Sequence, residues 1–243
     1  MQDFNTSGVQ FVGQVYEPNL EAIAALKPDL IVGGQYEVTA DNYALLSQIA
    51  PTVAVEQFTR PIWASHADFA LLVNRQNEAN TLKTRFDSRL ADVKAKIANP
   101  GAITVSFFYV ESPGKLNAES DPQIPYHLVF DSLGLTQTPN VTAARADGQF
   151  YAVPEAVSFE LLPQFDGDVI FVPYWDDAIG ADIAALQASP LWQQLNAVQK
   201  GQSYIVSGEA WFGMSYQTLF TILDFIEENL VNKTLDASWE PAP

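Results

Sequence analysis

A pattern recurs in this chain at a constant offset of 139 residues, carrying Glu21 to Glu160, Asp29 to Asp168 and Tyr36 to Trp175. In the first copy Asn19-Leu20-Glu21 precedes Asp29-Leu30-Ile31-Val32; in the second Ser158-Phe159-Glu160 precedes Asp168-Val169-Ile170-Phe171. Both copies read as cap, helix, strand and aromatic loop. Asn or Ser at the cap supplies an acceptor for a free helix N–H. An unbroken apolar run introduced by an acid suits a strand buried on both faces. Each copy continues into a further helix and strand, ending at Val53-Ala54-Val55 and Tyr204-Ile205-Val206. Any two βαβ units share apolar strands, so part of this likeness is generic. An offset kept across cap, acid, strand and aromatic is not, and it predicts two similar α/β lobes.

The elements around the repeat fit that expectation. Val9 to Gly13 reads as a short strand. Asn19 caps a helix over 20–26 that Lys27-Pro28 stops. Leu30 to Val32 is a strand, 33–36 a loop, 40–49 a helix and 52–55 the next strand. Strands alternating with helices argue for a parallel sheet. The longest helix covers 78–98, with Leu82, Phe86, Leu90, Val93 and Ile97 at helical spacing. It would span ~30 Å, suiting a strut between lobes; an ordinary amphipathic surface helix has the same pattern. Beyond it come a strand from Ile103 to Val110, a proline-rich loop over 111–125, a helix over 126–134 and a loop over 137–156. The organisation is therefore a first lobe at 1–77, a connecting helix at 78–98 and a second lobe at 99–243.

Composition removes several functions. The 243 residues carry a net charge of −17, so no basic footprint exists for nucleic acid or an anionic membrane. Zero Cys excludes a disulfide scaffold, a thiolate metal site and a thiol nucleophile. No apolar run reaches the ~18 residues of a membrane span. Met1-Gln2-Asp3-Phe4 shows no signal-peptide pattern. There is no Walker loop, G-x-G-x-x-G or G-x-S-x-G. His66 and His127 lack metal-ligand spacing, and Asp176-Asp177 reads as a solvated acidic pair before it reads as a cation site. The sequons at Asn5, Asn140 and Asn232 are of a kind frequent by chance. No catalytic or metal-ligating residue is assigned, and the chain is not read as an enzyme.

The aromatic residues carry more information. Tyr36, Tyr109, Tyr151, Trp175, Trp211 and Phe212 fall in or beside loops that follow strands. Ligands of open α/β sheets bind beyond the carboxyl ends of strands, and flat amphipathic rings suit a large ligand with apolar surface and polar oxygens. The alternative is that each ring closes its own lobe's core. Glu21 and Glu160 also have two readings. A carboxylate in the first helical turn gains ~0.3–1 kcal/mol from the helix dipole. Matched acids on both lobes could instead present one charge each to a two-fold partner with basic residues.

Val12-Gly13, Glu17-Pro18-Asn19-Leu20-Glu21, Leu26-Lys27-Pro28-Asp29-Leu30-Ile31-Val32 and Ile49-Ala50-Pro51-Thr52-Val53 resemble the substrate-binding proteins of iron-siderophore and cobalamin ABC importers. The second half agrees through Ser189-Pro190-Leu191-Trp192-Gln193-Gln194-Leu195-Asn196-Ala197-Val198, Gly201 and Ala210-Trp211-Phe212, and looks most like the ferric-hydroxamate binders. The resemblance implies two Rossmann-like lobes joined by one long helix, a class III periplasmic binding protein, that delivers a ferric siderophore to an ABC permease dimer with its ATPase subunits. Iron enters only as part of that ligand, with no cofactor. Tyr36, Tyr151 and Trp211 match the cleft aromatics, with Tyr109, Trp175 and Phe212 added by position. Glu21 and Glu160 match the glutamates that dock on permease arginines.

Two departures qualify this resemblance. The hydroxamate binders place an arginine just before Glu-Pro-Asn, where this chain has Gln14-Val15-Tyr16. Arg60 and Arg145 are the nearest candidates by loop position. A chain this acidic without cleft arginines favours a neutral or cationic ferric hydroxamate. The family also begins with a further βαβ unit of ~30 residues, so the first lobe is expected to be N-terminally truncated, with the signal segment and lipid-anchor Cys outside this chain. Localisation is then periplasmic or on the cell surface, with membrane contact through the permease or that absent anchor. Haem or cobalamin is the alternative ligand; an enzyme on a two-lobed scaffold is the alternative class.

Overall fold

The computed structural model describes residues 7–57, 60–112, 114–119, 124–146, 157–175 and 180–231. The chain divides into two units, Met1–Arg75 and Gln76–Pro243.

The first unit opens on a small antiparallel hairpin, β1 (Gly13–Gln14) with β2 (Glu17–Pro18). The expected strand over 9–13 shrinks to this piece, and Val9 and Phe11 are exposed. Gly13 explains the difference. At φ +120° it turns the chain back, and a Cβ there would lie 2.5 Å from the Glu17 carbonyl oxygen and 2.6 Å from the Asn19 nitrogen. The turn lets the Asn19 N–H donate to the Val12 carbonyl at 2.7 Å. Asn19 then caps α1 (Leu20–Leu26), its Oδ1 accepting from the Ala22 N–H at 3.0 Å. Lys27 at φ 50° ends the helix before Pro28.

Next come β3 (Ile31–Gly34), α2 (Tyr43–Ile49), β4 (Thr52–Val55) and α3 (Ile62–Leu72). Strands β3 and β4 pair in parallel, as the alternation predicts. Ile23, Val38 and Leu46 form the local core, with Val12, Leu20, Ile31 and Ile49 packed against it. Helix α3 has no apolar stripe: Ile62, Ser65 and Ala70 are its buried residues, and the Ser65 hydroxyl donates to the Glu56 carbonyl at 2.6 Å.

The second unit begins with α4 (Gln76–Lys94), which replaces the expected 78–98 helix, starting two residues earlier and ending four earlier. Its Phe86 packs edge-on against Tyr216 and Phe220. Arg89 pairs with Asp224 at 2.7 Å and Glu227 at 2.5 Å, and Lys96 also pairs with Glu227. Hydrogen bonds from Lys96 and Arg89 hold the Glu227 carboxyl below the usual glutamate value.

The sheet of this unit contains β5 (Thr104–Ser112), β6 (Lys115–Glu119), β7 (Thr136–Gln137), β8 (Val157–Ser158), β9 (Val169–Tyr174) and β10 (Ser203–Ser207). Its order is β10-β9-β5-β6-β8, with β7 also on β5. The pairs among β10, β9, β5 and β7 are parallel; β6 runs antiparallel to β5 and β8. The sheet is therefore mixed, and β6 occupies part of the stretch expected to be a loop. Gly114 at φ +73° precedes it, and its polar Lys115-Leu116-Asn117-Ala118-Glu119 masks a buried strand.

The helices of this unit are α5 (Ile124–Tyr126), continuing as a π-helical turn His127–Ser132, then α6 (Pro139–Ala146), α7 (Gly180–Ala188), α8 (Pro190–Gln193), α9 (Asn196–Gln199), α10 (Gly208–Phe212) and α11 (Tyr216–Ile226). Helix α6 lies inside the expected 137–156 loop. The second copy of the repeat keeps its cap, Ser158, whose Oγ accepts from the Glu160 N–H at 3.4 Å. The helix that follows is a 3-10 helix, Phe159–Phe165, because Pro163 inside it has no N–H to continue an α-helix. Asp168 anchors the next strand: its carboxylate accepts from the Thr104 N–H at 2.9 Å and hydroxyl at 2.7 Å. Asp166 takes up the Asn196 N–H at 2.6 Å, while burial pushes its carboxyl up.

Strand alternation gives the sheet two dissimilar faces. One holds Phe108, Val110, Leu116, Ala118, Ile170 and Val172, packed with Leu162, Phe165, Ile183, Leu186 and Trp192. The other is aromatic: Phe171 stacks near Trp211, Tyr204 and Phe225, and Phe107 meets Phe130 and Trp211. Among the described residues no helix is long and apolar enough to cross a membrane.

Candidate ligand-binding site

In the second unit the aromatic face continues past the carboxyl ends of the parallel strands. Tyr109 lies near the end of β5, Trp175 directly follows β9, and Phe212 closes α10. The Trp175 ring lies 5.7 Å from Tyr109 and 5.1 Å from Phe212, centroid to centroid. Trp175 is 42% exposed. Gly208 makes its seat possible, since a Cβ there would collide with the indole. The three rings form a half-open apolar surface at the place where open α/β sheets bind ligands.

Trp211 is placed differently. It is 2% exposed, with its ring 4.6 Å from Phe171 and 5.3 Å from Phe225. Of the adjacent pair expected at the ligand, Trp211 packs inward and Phe212 lies beside the exposed Trp175. Core closure, the alternative reading of these rings, describes Trp211.

A polar edge adjoins Tyr109. Strand β5 bulges at Glu111: Val110 opposes Leu116, and Ser112 opposes Lys115, leaving Glu111 as the extra residue. Its Oε2 accepts from Asn117 Nδ2 at 2.7 Å. Asn117 sits opposite Tyr109 in the ladder and is 2% exposed. Sequence reading missed this pair, because β6 looked like a loop.

In the first unit Tyr36 follows β3 by two residues and is 40% exposed. Tyr16, which sequence reading noted only as the absence of an arginine, meets it edge-on at 5.6 Å and is 71% exposed. Gln35 ties the strand ends together, donating to Glu56 Oε1 at 3.1 Å and accepting from the Gln57 N–H at 3.3 Å. Arg60 is engaged with Asp68 at 2.8 Å. Arg145 lies in α6, and Tyr151 and the Asp176-Asp177 pair lie outside the described residues. Glu21 stands exposed in the first turn of α1, and Glu160 exposed in the first turn of the 3-10 helix. His127 Nδ1 lies 2.8 Å from Asp131 Oδ2. No group of three metal-ligating side chains occurs among the described residues.

The rings around the half-exposed Trp175, at the ends of the parallel strands, make this the candidate ligand surface of the unit. The chain belongs to the periplasmic binding protein family, whose model matches residues 2–210. It is 31% identical over 208 residues to the probable siderophore-binding lipoprotein YfiY of Bacillus subtilis (strain 168), covering 84% of this chain and 63% of that one. It is 28% identical over 228 residues to the iron(3+)-hydroxamate-binding protein FhuD of the same organism, covering 93% of this chain and 69% of that one. The chain thus spans about two thirds of the length of these curated relatives. The crystal structure of Staphylococcus aureus SirA matches with a TM-score of 0.76 at 22% identity, over 92% of this chain and 84% of that one, which shows the shared fold. The family and these relatives are binding proteins.

Proposed function

We propose that this protein binds a ferric siderophore, of hydroxamate type, outside the cytoplasmic membrane and delivers it to an ABC permease dimer with its ATPase subunits. The observation that carries this reading is the exposed Tyr109–Trp175–Phe212 surface in a chain of this family. A ferric trihydroxamate has an apolar periphery and carbonyl oxygens, and flat rings with polar edges match both. Tyr36 with Tyr16 offers the same chemistry on the first unit. Arg145 and Tyr151 stay in the reading as expected ligand neighbours. Arg60 is a weaker candidate, since its charge is met by Asp68. Lobes at 1–77 and 99–243 with a helix between them belong to the same reading.

Exposed Glu21 and Glu160 serve as the docking charges for basic residues of the permease. The family resemblance and the names of the relatives support this, as does the helix-end placement of both acids.

Titration of the intrinsic tryptophan fluorescence with ferric hydroxamates, ferric citrate, haem and cobalamin tests the reading. The expected result is saturable quenching by a ferric hydroxamate at micromolar or tighter affinity. Quenching by haem or cobalamin alone transfers the site to that ligand, and no quenching by any of them overturns it.

A further inference from the structure

We infer that Glu111 and Asn117 form a donor-recognising edge that selects ferric complexes carrying an ammonium group. The inference rests on the proposed siderophore site and names the charge of the ligand it takes.

The geometry supports it in three ways. First, the Glu111 carboxylate has no donor of its own, so Asn117 must turn its NH2 toward Glu111, as the 2.7 Å contact shows. That fixes the amide and leaves Asn117 Oδ1 buried with no hydrogen-bond partner among the described residues. A buried, unmet acceptor in a residue only 2% exposed marks this edge as one that lacks a donor among the described residues. Second, the bulge puts Glu111 out of the regular ladder, next to Tyr109 and through it to Trp175. Bulges re-aim side chains and gather beside functional sites. Third, what this edge offers is acceptors. Among the described residues no cation pairs with Glu111; Lys115, two positions before Asn117 on β6, is exposed and makes no ion pair with it. A ligand arm ending in an ammonium would meet the exposed Glu111 carboxylate that Asn117 holds in place, while its hydroxamate core rests on the rings. An anionic complex would meet the carboxylate with repulsion, in a chain already at −17.

The test uses two probes with the same iron centre: the ferric complex of a linear trihydroxamate bearing a free terminal amine, and the same complex with that amine acetylated. Hydrogen bonds to charged groups support a difference of at least about tenfold. The wild-type protein should bind the amine form that much more tightly. Glu111→Gln keeps the acceptor for Asn117 and removes the charge, so it should erase the preference between the two forms. Equal affinities in the wild type, or a preference that survives in E111Q, overturn this inference while the siderophore site stands. Binding of neither form by the wild type removes both.

Discussion

Trp211→Ala should destabilise the protein by ~3–5 kcal/mol, the range for truncating a fully buried large aromatic. Trp211 is 2% exposed and lies among Phe107, Phe171 and Phe225, so its removal leaves a cavity at the centre of the aromatic face. The surrounding rings are held by strands β5 and β9 and helix α11, and cannot collapse freely into the gap. Urea unfolding followed by circular dichroism measures the loss as a lower midpoint at an unchanged slope. A loss under ~1 kcal/mol would show that Trp211 is not a core residue. Any fall in ligand affinity in this variant would then follow from a disturbed Trp175 seat, since Trp211 and Gly208 share helix α10.

Replacing Glu21 and Glu160 together by alanine should abolish ligand delivery while sparing ligand affinity. Truncating a charge that becomes paired at an interface costs about 2–5 kcal/mol, and two such losses act on one docking event. Within the protein itself the same change removes favourable charge–dipole contacts worth only ~0.3–1 kcal/mol each. Both acids are exposed, and neither belongs to the ring cluster of its unit. Uptake of iron-labelled siderophore by cells carrying the double variant should fall to background, with the purified protein binding ligand as before. Unchanged uptake, or a loss of affinity with docking intact, would reverse the assigned roles.

Much of the fold is legible in the sequence because its strongest signals are local. The Asn19 cap, the Lys27-Pro28 stop and the Leu30–Val32 run each determine one element through backbone chemistry alone. The repeat was legible for the same reason, although Pro163 changes the helix type in its second copy. Strand β6 was hidden because burial of Asn117 and Glu119 depends on pairing with β5, a tertiary fact. Helix α6 carries a readable signal, Pro139 at its start, which its polar surroundings masked.

The candidate site was legible in kind and less so in detail. Tyr109, Trp175 and Phe212, expected in or beside loops after strands, lie together in the structure. Trp211 and Phe212 are adjacent on one short helix, and successive helical residues point ~100° apart. Which of the two faces the core is decided by how α10 lies on the sheet, and sequence spacing holds no record of that. Tyr16 was overlooked because the hairpin that presents it rests on the positive φ of Gly13. The Glu111–Asn117 contact joins two strands across a bulge and leaves no pattern in the linear chain.

The central claim is that one ferric siderophore rests on Trp175 and its neighbours. Calorimetric titration of the wild-type protein and Trp175→Ala with the same ferric trihydroxamate tests it most directly. A half-exposed indole at the centre of a binding surface is worth ~2 kcal/mol or more, or about 30-fold in affinity. The expected result is single-site binding by the wild type, weakened at least that much in the variant, with the unfolding midpoint held. Equal affinity in the two proteins would contradict the claim.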